Sequence, residues 1–363
     1  MRIALVAPLV SAIAQPYLGG AQALLANLAQ GLRQRGHQVT LFARDGSLVP
    51  GIRIERVTVP GNVRPADFSR PLQEGTADAG FFAQANLFLE LFLQLRWRSS
   101  EFDLVHAHAF DWPAFACSAL VRDIPVFHTL HLPAVSPEIN DALRVLHKQG
   151  HPVTLITVSH ACAHTYRDYT PIDHVIYNGL NLKIIPFVPK HSAEGPLFFA
   201  GRIAPEKGVE AAIEIAEQAN RRLLIAGGIY DRRYYEERIL PKLQDAGERV
   251  TYLGLLEQQA LWKITGQSLG LLFPIDWDEP FGLTAVEAMA TGTPVIAFRR
   301  GAAEEVIRNG ETGFLVERGE CGHAAALVDD LFDIPRARCR AHVEAHFAIE
   351  PMLDAYERVY SSR

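Results

Sequence analysis

Cysteine is scarce in this chain. Four occur in 363 residues, at positions 117, 162, 321 and 339, with no CxxC pair, so neither a zinc framework nor a disulfide scaffold is encoded. A basic excess is missing as well. With 35 Lys and Arg against 41 Asp and Glu, the formal net charge is −6, which lacks the electrostatic footprint of a nucleic-acid binder while leaving room for a local basic pocket. Long apolar runs are also absent. The most apolar helical stretch, FFAQANLFLELFLQLRW (81–97), is interrupted by Gln84, Asn86, Glu90 and Gln94 and is too short and too polar to span a bilayer. Its broad apolar face reads as core packing in preference to membrane attachment. The opening MRIALVAPLV reads as a first buried strand, not a secretory leader. The expected location is the cytoplasm, with at most peripheral contact at the inner face of a membrane. A complete GxGxxG fingerprint is not present either.

What is there points to a packed α/β protein. Hydrophobic residues make up 48 % and charged residues 21 %, and a chain of this length predicts two domains of about 150–200 residues each. Buried strands are expected at 2–7, 38–43, 51–60, 103–105, 125–131, 153–158 and 174–180, with helices at 21–35 and 81–98 between them. Residues 61–80 read as loop. The Pro-rich stretch 186–196 is the linker candidate. A second series of strands follows at 196–202, 222–228, 249–256, 270–275, 294–298 and 313–316, and the tail from about 323 reads as helices. Strand–loop–helix–strand units of this kind build parallel sheets, whose ligands bind beyond the carboxyl ends of the strands.

The loop before the first long helix ends in Gly19-Gly20, which is either an ordinary tight turn or an anion-approaching backbone. Strand ends near 106–108 and 128–131 carry His106, His108, His128 and His131. Their HxH and HxxH spacing has no supporting Cys or acid, so metal binding is disfavoured and at least one functional histidine is expected among them. In the second half, Arg202 follows a strand and Lys207 precedes a helix, as a phosphate-binding pair or as two solvated charges. The richest stretch is PIDWDEPFGLTAVEAMATGTPVI (274–296), a loop, a helix, a turn and a strand. Glu279 precedes the helix start and Glu287 lies inside the helix, so a phosphate at the helix N-terminus would have a carboxylate on each side to grip hydroxyls.

The order of these features resembles glycosyltransferase family 4, the retaining nucleotide-sugar enzymes of the GT-B fold. The resemblance covers nearly the whole chain. It is carried by GRIAPEKG (201–208), IAGG (225–228), YLGLL (252–256), EPFGLTAVEAMATGTPVIA (279–297) and NGETGFLV (309–316), with GGAQ (19–22), HAH (106–108), FHTLH (127–131) and YNG (177–179) in the first half. It implies two Rossmann-like, doubly wound parallel-sheet domains facing a cleft. The first, at 1–185, would bind the acceptor; the second, at 186–345, would bind the donor. A C-terminal helix, about 346–363, is expected to pack back on the first domain.

By the same resemblance Glu279 holds donor-sugar hydroxyls, Glu287 the ribose, and Arg202 and Lys207 the diphosphate. Phe281, Gly282, Leu283 and Thr284 meet the phosphate or sugar, Leu255 meets the base, and Gly19 and Gly20 close over the diphosphate. His128 is matched to the family's strand-end histidine near the reacting sugar carbon, in a stabilising role. Tyr17, His108, Phe110, Trp112 and His131 are candidates for the acceptor.

No metal or other cofactor is expected, because the cations and a helix dipole meet the leaving charge; Asp276-Trp277-Asp278 only superficially resembles an Asp-x-Asp metal motif. The expected reaction moves a hexose, with UDP-glucose as the preferred donor, to a saccharide or lipid-linked saccharide by front-side displacement. The competing readings are another GT-B enzyme, such as an epimerase, or a non-catalytic nucleotide-sugar-binding protein.

Overall fold

A computed structural model describes residues 1–17, 19–59, 79–190 and 194–362. Most of the predicted loop 61–80 lies outside the described residues. The chain divides into two compact units: Met1–Ala14, Ala21–Tyr177 and Met352–Arg363 form one, and Gln15–Gly20 with Asn178–Pro351 form the other.

The first unit is built on β1 (Arg2–Val6), β2 (Gln38–Arg44), β3 (Arg53–Val57), β4 (Leu104–Ala107), β5 (Val126–Leu130), β6 (Val153–Thr157) and β7 (His174–Val175). They form one sheet in the order β3-β2-β1-β4-β5-β6-β7, and each described pairing is parallel. Parallel strands are covered on both faces, and β1, β4 and β5 are accordingly buried along nearly their whole length, the polar residues of β4 and β5 included. The helices are α1 (Gly20–Gln34), α2 (Ala79–Trp97), α3 (Trp112–Ser118), α4 (Pro137–Lys148) and α5 (His160–Thr165). α2 buries Phe88, Leu91, Phe92 and Leu95 in the core while Phe82 and Trp97 stay exposed. Ser159 caps α5, accepting from the Cys162 amide at 2.9 Å. The strand predicted over 174–180 is only two residues long.

The second unit carries β8 (Leu197–Ala200), β9 (Leu223–Ala226), β10 (Val250–Tyr252), β11 (Gly270–Phe273), β12 (Val295–Phe298) and β13 (Gly313–Val316). These too are parallel, in the order β10-β9-β8-β11-β12-β13. Its helices are α6 (Val209–Gln218), α7 (Arg232–Tyr234), α8 (Leu240–Ala246), α9 (Gln258–Gln267), α10 (Leu283–Thr291), α11 (Ala303–Val306), α12 (Cys321–Ala326) and α13 (Arg336–His346). α7 and α8 are joined by a π turn, Tyr235–Ile239, where Pro241 of α8 withholds a backbone donor. Two arginines of α13 fasten the approach to β8. Arg336 donates to the Val188, Ser268 and Gly266 carbonyls, and Arg340 to those of Ile185, Leu182 and Ala290.

The last helix, α14 (Ile349–Ser361), belongs to the first unit from Met352 onward. There Leu353 packs on Gly31 of α1, and Arg35 forms ion pairs with Asp354 and Glu357 at 2.6 and 2.7 Å.

Candidate active site

In the second unit the predicted donor residues gather at the carboxyl ends of β8 and β11. Arg202 lies two residues past β8, and Lys207 closes a single 3-10 turn, Pro205–Lys207, that opens α6. Gly208 follows in a left-handed conformation with φ of 73°, and any Cβ there would overlap the Pro274 carbonyl oxygen. The two strand-end loops are thereby drawn together. The loop after β11 ends at Gly282, with φ of 86°, and turns directly into α10. No side chain caps α10. The first-turn amides of α10, at Leu283 and Thr284, are among those that a helix leaves without an intrahelical partner. Gly20, part of this unit by its packing, lies so close that an added Cβ would meet Leu283 Cδ1 at 2.8 Å.

Lys207 and Glu279 form an ion pair with Nζ and Oε2 2.6 Å apart, the side chains 12 % and 15 % exposed. The indole N–H of Trp277 donates to the same oxygen, and its ring centroid is 5.0 Å from Lys207 Nζ. Oε1 of Glu279 carries no hydrogen bond among the described residues. The loop is held in place: the Asp276 amide donates to the Glu206 carbonyl at 2.9 Å, and the Ala302 amide to that of Glu279 at 2.9 Å. Asp276 forms ion pairs with Arg300 and Arg318, and Asp278 with Arg300. The two acids of the Asp-x-Asp look-alike thus face arginines.

Arg202 sits between an acid and an aromatic. Its guanidinium is 3.5 Å from Glu206 and 4.3 Å from the centroid of the Tyr230 ring. Glu287, one turn inside α10, accepts from Gln258 Nε2 at 3.1 Å and Trp262 Nε1 at 3.3 Å, both on α9 and both on Oε1. The residue is half-buried by area, but its carboxyl group is enclosed. That burial pushes its pKa up, against the pull of the two donors. Leu255, past the end of β10, is 44 % exposed. Phe281 is buried.

In the first unit the histidines behave differently. His106 is buried and bonded at both ring nitrogens, Nδ1 to the Tyr360 hydroxyl at 2.6 Å and Nε2 to Thr129 Oγ1 at 2.8 Å. Tyr356 reaches the same Thr129 hydroxyl at 3.2 Å. His108 Nδ1 and His131 Nε2 are 2.9 Å apart. Their rings are nearly coplanar, with centroids 5.2 Å apart, the arrangement of an in-plane N–H···N bond.

The placement of His128 corrects the expectation. It is the middle residue of β5, not its end, because the strand runs on to Leu130. It is fully buried, its ring 4.8 Å from that of Phe115, and neither ring nitrogen has a hydrogen-bond partner. Alternation along β5 sends it into the layer of α3, and His131 is the residue that follows the strand end. Burial holds His128 down to about 3 and His131 to about 4, and it pushes His106 and His108 well below the ordinary range, so all four are neutral.

Of the acceptor candidates, Phe110 and His131 line one small pocket with Ser136, Asn140 and Tyr166. Trp112 packs on Phe81 instead, at 5.9 Å between centroids, and Tyr17 is half-buried in the stretch grouped with the second unit. Two residues of this region lacked a sequence signal. Asp111 is 1 % exposed, takes a bond from Gln84 on one oxygen only, and is pushed up to about 6 by burial. Asn140 is buried with its side-chain oxygen unpartnered.

Two family models cover this architecture almost end to end: Glycosyltransferase Family 4 matches residues 18–184, and Glycosyl transferases group 1 matches residues 184–345. The chain belongs to glycosyltransferase family 4. This family 4 glycosyltransferase is 28 % identical to D-inositol 3-phosphate glycosyltransferase of Corynebacterium efficiens, over 95 % of this chain and 90 % of that one. It is 27 % identical to glycogen synthase of Mycobacterium tuberculosis, over 89 % of this chain and 84 % of that one. Among solved structures, sucrose-phosphate synthase from Thermosynechococcus elongatus matches with a TM-score of 0.80 at 21 % identity, covering 100 % of this chain and 99 % of that one. HepE from Anabaena, solved in complex with UDP and glucose, matches with a TM-score of 0.77 at 19 % identity, covering all of both chains. The fold of this glycosyltransferase is accordingly GT-B, with two Rossmann-like parallel-sheet units. Among its described residues no helix is long and apolar enough to cross a membrane.

Proposed function

We propose that this glycosyltransferase moves a hexose from a nucleoside diphosphate sugar, UDP-glucose foremost, to a hydroxyl of a saccharide or lipid-linked saccharide, with retention and without a metal. The observation that carries the reading is the Lys207–Glu279 pair at the uncapped start of α10. A donor's diphosphate is anionic and its sugar is a cluster of hydroxyls, and this spot offers a cation, free amides and a carboxylate with one open oxygen.

In the reaction, the bond between the anomeric carbon and the diphosphate oxygen breaks, and negative charge gathers on the leaving group. Lys207, Arg202 and the α10 N-terminus stabilise that charge. Glu279 Oε1 accepts a sugar hydroxyl, and Glu287 Oε2, which has no bond among the described residues, accepts from the ribose. The acceptor oxygen bonds to the anomeric carbon from the same face, and its proton passes to an oxygen of the departing diphosphate. The stabilising role expected of His128 falls to His131, which follows the strand end and is less deeply enclosed. A neutral imidazole held near 4 is a poor proton acceptor at neutral pH, so this role is hydrogen bonding. The HepE complex supports a UDP donor, and the relative named for D-inositol 3-phosphate adds that compound to the acceptors worth screening.

The test is a thermal-shift panel of UDP-, GDP- and ADP-sugars with chelator present, followed by an acceptor screen. A ligand at one hundred times its Kd stabilises by about 2.7 kcal/mol, a shift of several degrees. A melting point unmoved by every nucleotide sugar would sink the proposal, binding without turnover would favour a sensor, and loss of activity on chelation would remove the metal-free route.

A further inference from the structure

Trp277 sits in the Asp276-Trp277-Asp278 loop, a motif the donor reading leaves without a task. Lys207 and Glu279 are close enough to neutralise one another, at 2.6 Å and largely shielded from water. A pair left to itself would pivot, the ammonium sampling both carboxylate oxygens, and neither group would keep a fixed direction toward a ligand. Here three contacts remove that freedom. The ammonium and the Trp277 indole N–H converge on Oε2, which leaves Oε1 without a hydrogen bond among the described residues. The indole ring lies 5.0 Å from Nζ and gives the cation a second favourable neighbour. The indole is itself anchored from both sides, since Asp276 is bound to Arg300 and Arg318 and Asp278 to Arg300, while the Glu279 amide donates to the Trp277 carbonyl at 2.8 Å.

We propose that Trp277 is a positioning residue. Its N–H fixes the orientation of the Glu279 carboxylate and its ring holds Lys207, so that acid and cation keep separate duties toward the sugar and the diphosphate. The proposal rests on the donor reading above, and its test separates the two.

Trp277→Phe keeps a ring beside Lys207 and removes the N–H; Trp277→Leu removes both. UDP affinity by calorimetry and steady-state turnover of UDP-glucose are measured for each. A hydrogen bond to a charged group contributes about 1.5–3 kcal/mol, so Trp277→Phe is expected to lower kcat/KM by roughly 10- to 100-fold. Its UDP affinity should stay within about twofold of wild type, because the cation and its ring neighbour remain. Trp277→Leu should lose UDP affinity as well. In a Glu279→Ala background, Trp277→Phe should cost nothing further, and a full additive loss there would overturn the proposal. So would unchanged turnover in the single Phe variant. A wild-type protein that neither binds UDP nor turns over UDP-glucose would defeat the donor reading. The arrangement would then be judged by NMR alone: the indole N–H resonance of Trp277 must move in Glu279→Gln, and a resonance that stays put shows that the contact does not orient the acid.

Discussion

The two units gather chemically opposite groups: the second just beyond the carboxyl ends of its parallel strands, the first partly within its strands, at His106 and His128, and partly beyond them, at His108 and His131. The second unit gathers formal charges, each with a partner of the other sign: Lys207 with Glu279, and Arg202 with Glu206. The first unit gathers imidazoles that burial keeps neutral, joined to hydroxyls and to one another or left without a partner. A charged cluster suits a step in which charge develops, since preformed ions need little reorganisation when the leaving group departs. A neutral hydrogen-bonding cluster suits the recognition of hydroxyls, where a buried ion would cost more in desolvation than it returns.

The sharpest way to break that contrast is to remove a charge. Lys207→Met is expected to reduce kcat/KM by roughly 10²–10³-fold, the loss typical of one preorganised electrostatic group, with an intact fold by circular dichroism. His131→Gln keeps a hydrogen-bonding side chain and should cost about tenfold, near 1.4 kcal/mol. Equal losses in the two variants would show that both clusters meet developing charge, and the contrast would collapse.

Acid should separate the units next. A free histidine has a pKa near 6.5, and in the folded protein His131 and His128 decline a proton until about 4 and about 3. As pH falls below 6.5 the unfolded chain binds protons that the folded one refuses, so stability drops. Each such histidine contributes a loss of about 2 kcal/mol between pH 7.5 and pH 5. Glu287 works the other way: its raised pKa is a penalty above the carboxyl range that acidification relieves. Urea midpoints at pH 7.5 and pH 5 should therefore fall for the wild type, and less steeply for His128→Leu. Identical midpoints would mean that the imidazoles are not protected from protons. The smallest effect is expected from Tyr360→Phe, which leaves His106 Nδ1 without a partner. A cost of about 1 kcal/mol is expected, read as a lower melting point with catalysis retained.

Much of this was legible in the chain. The strands announced themselves as short apolar runs between turn residues, and α10 by the glycine before it and the Thr-Gly-Thr-Pro after it. Other helices went unassigned. α4 carries cap signals in Ser136-Pro137-Glu138, but its apolar stripe is thin, with only Ile139 and Leu143 of its hydrophobic residues buried. α9 begins at Gln258 with no side-chain cap and a weak apolar stripe. The site was legible as a set of residue types and illegible as a set of pairs. Lys207 and Glu279 are 72 positions apart, and nothing local to either indicates that they touch. Nor does residue type tell His128 from His131: both belong to one short histidine-bearing run, and only the packing shows that His128 is enclosed against Phe115 while His131 follows the strand end.

The return of α14 has a consequence for how the molecule is made. Every strand of the first unit leaves the ribosome before Asn178, yet the hydroxyls that satisfy His106 and Thr129 belong to Tyr356 and Tyr360. At about 5–20 residues per second, the nascent first unit waits on the order of ten seconds or more for its final helix while the second unit is synthesised. Through that interval the Nδ1 of His106 lacks the tyrosine hydroxyl that it pairs with in the finished unit, and the earliest segment to emerge is among the last to be finished. Damage to the final dozen residues should consequently be felt in the first half of the chain.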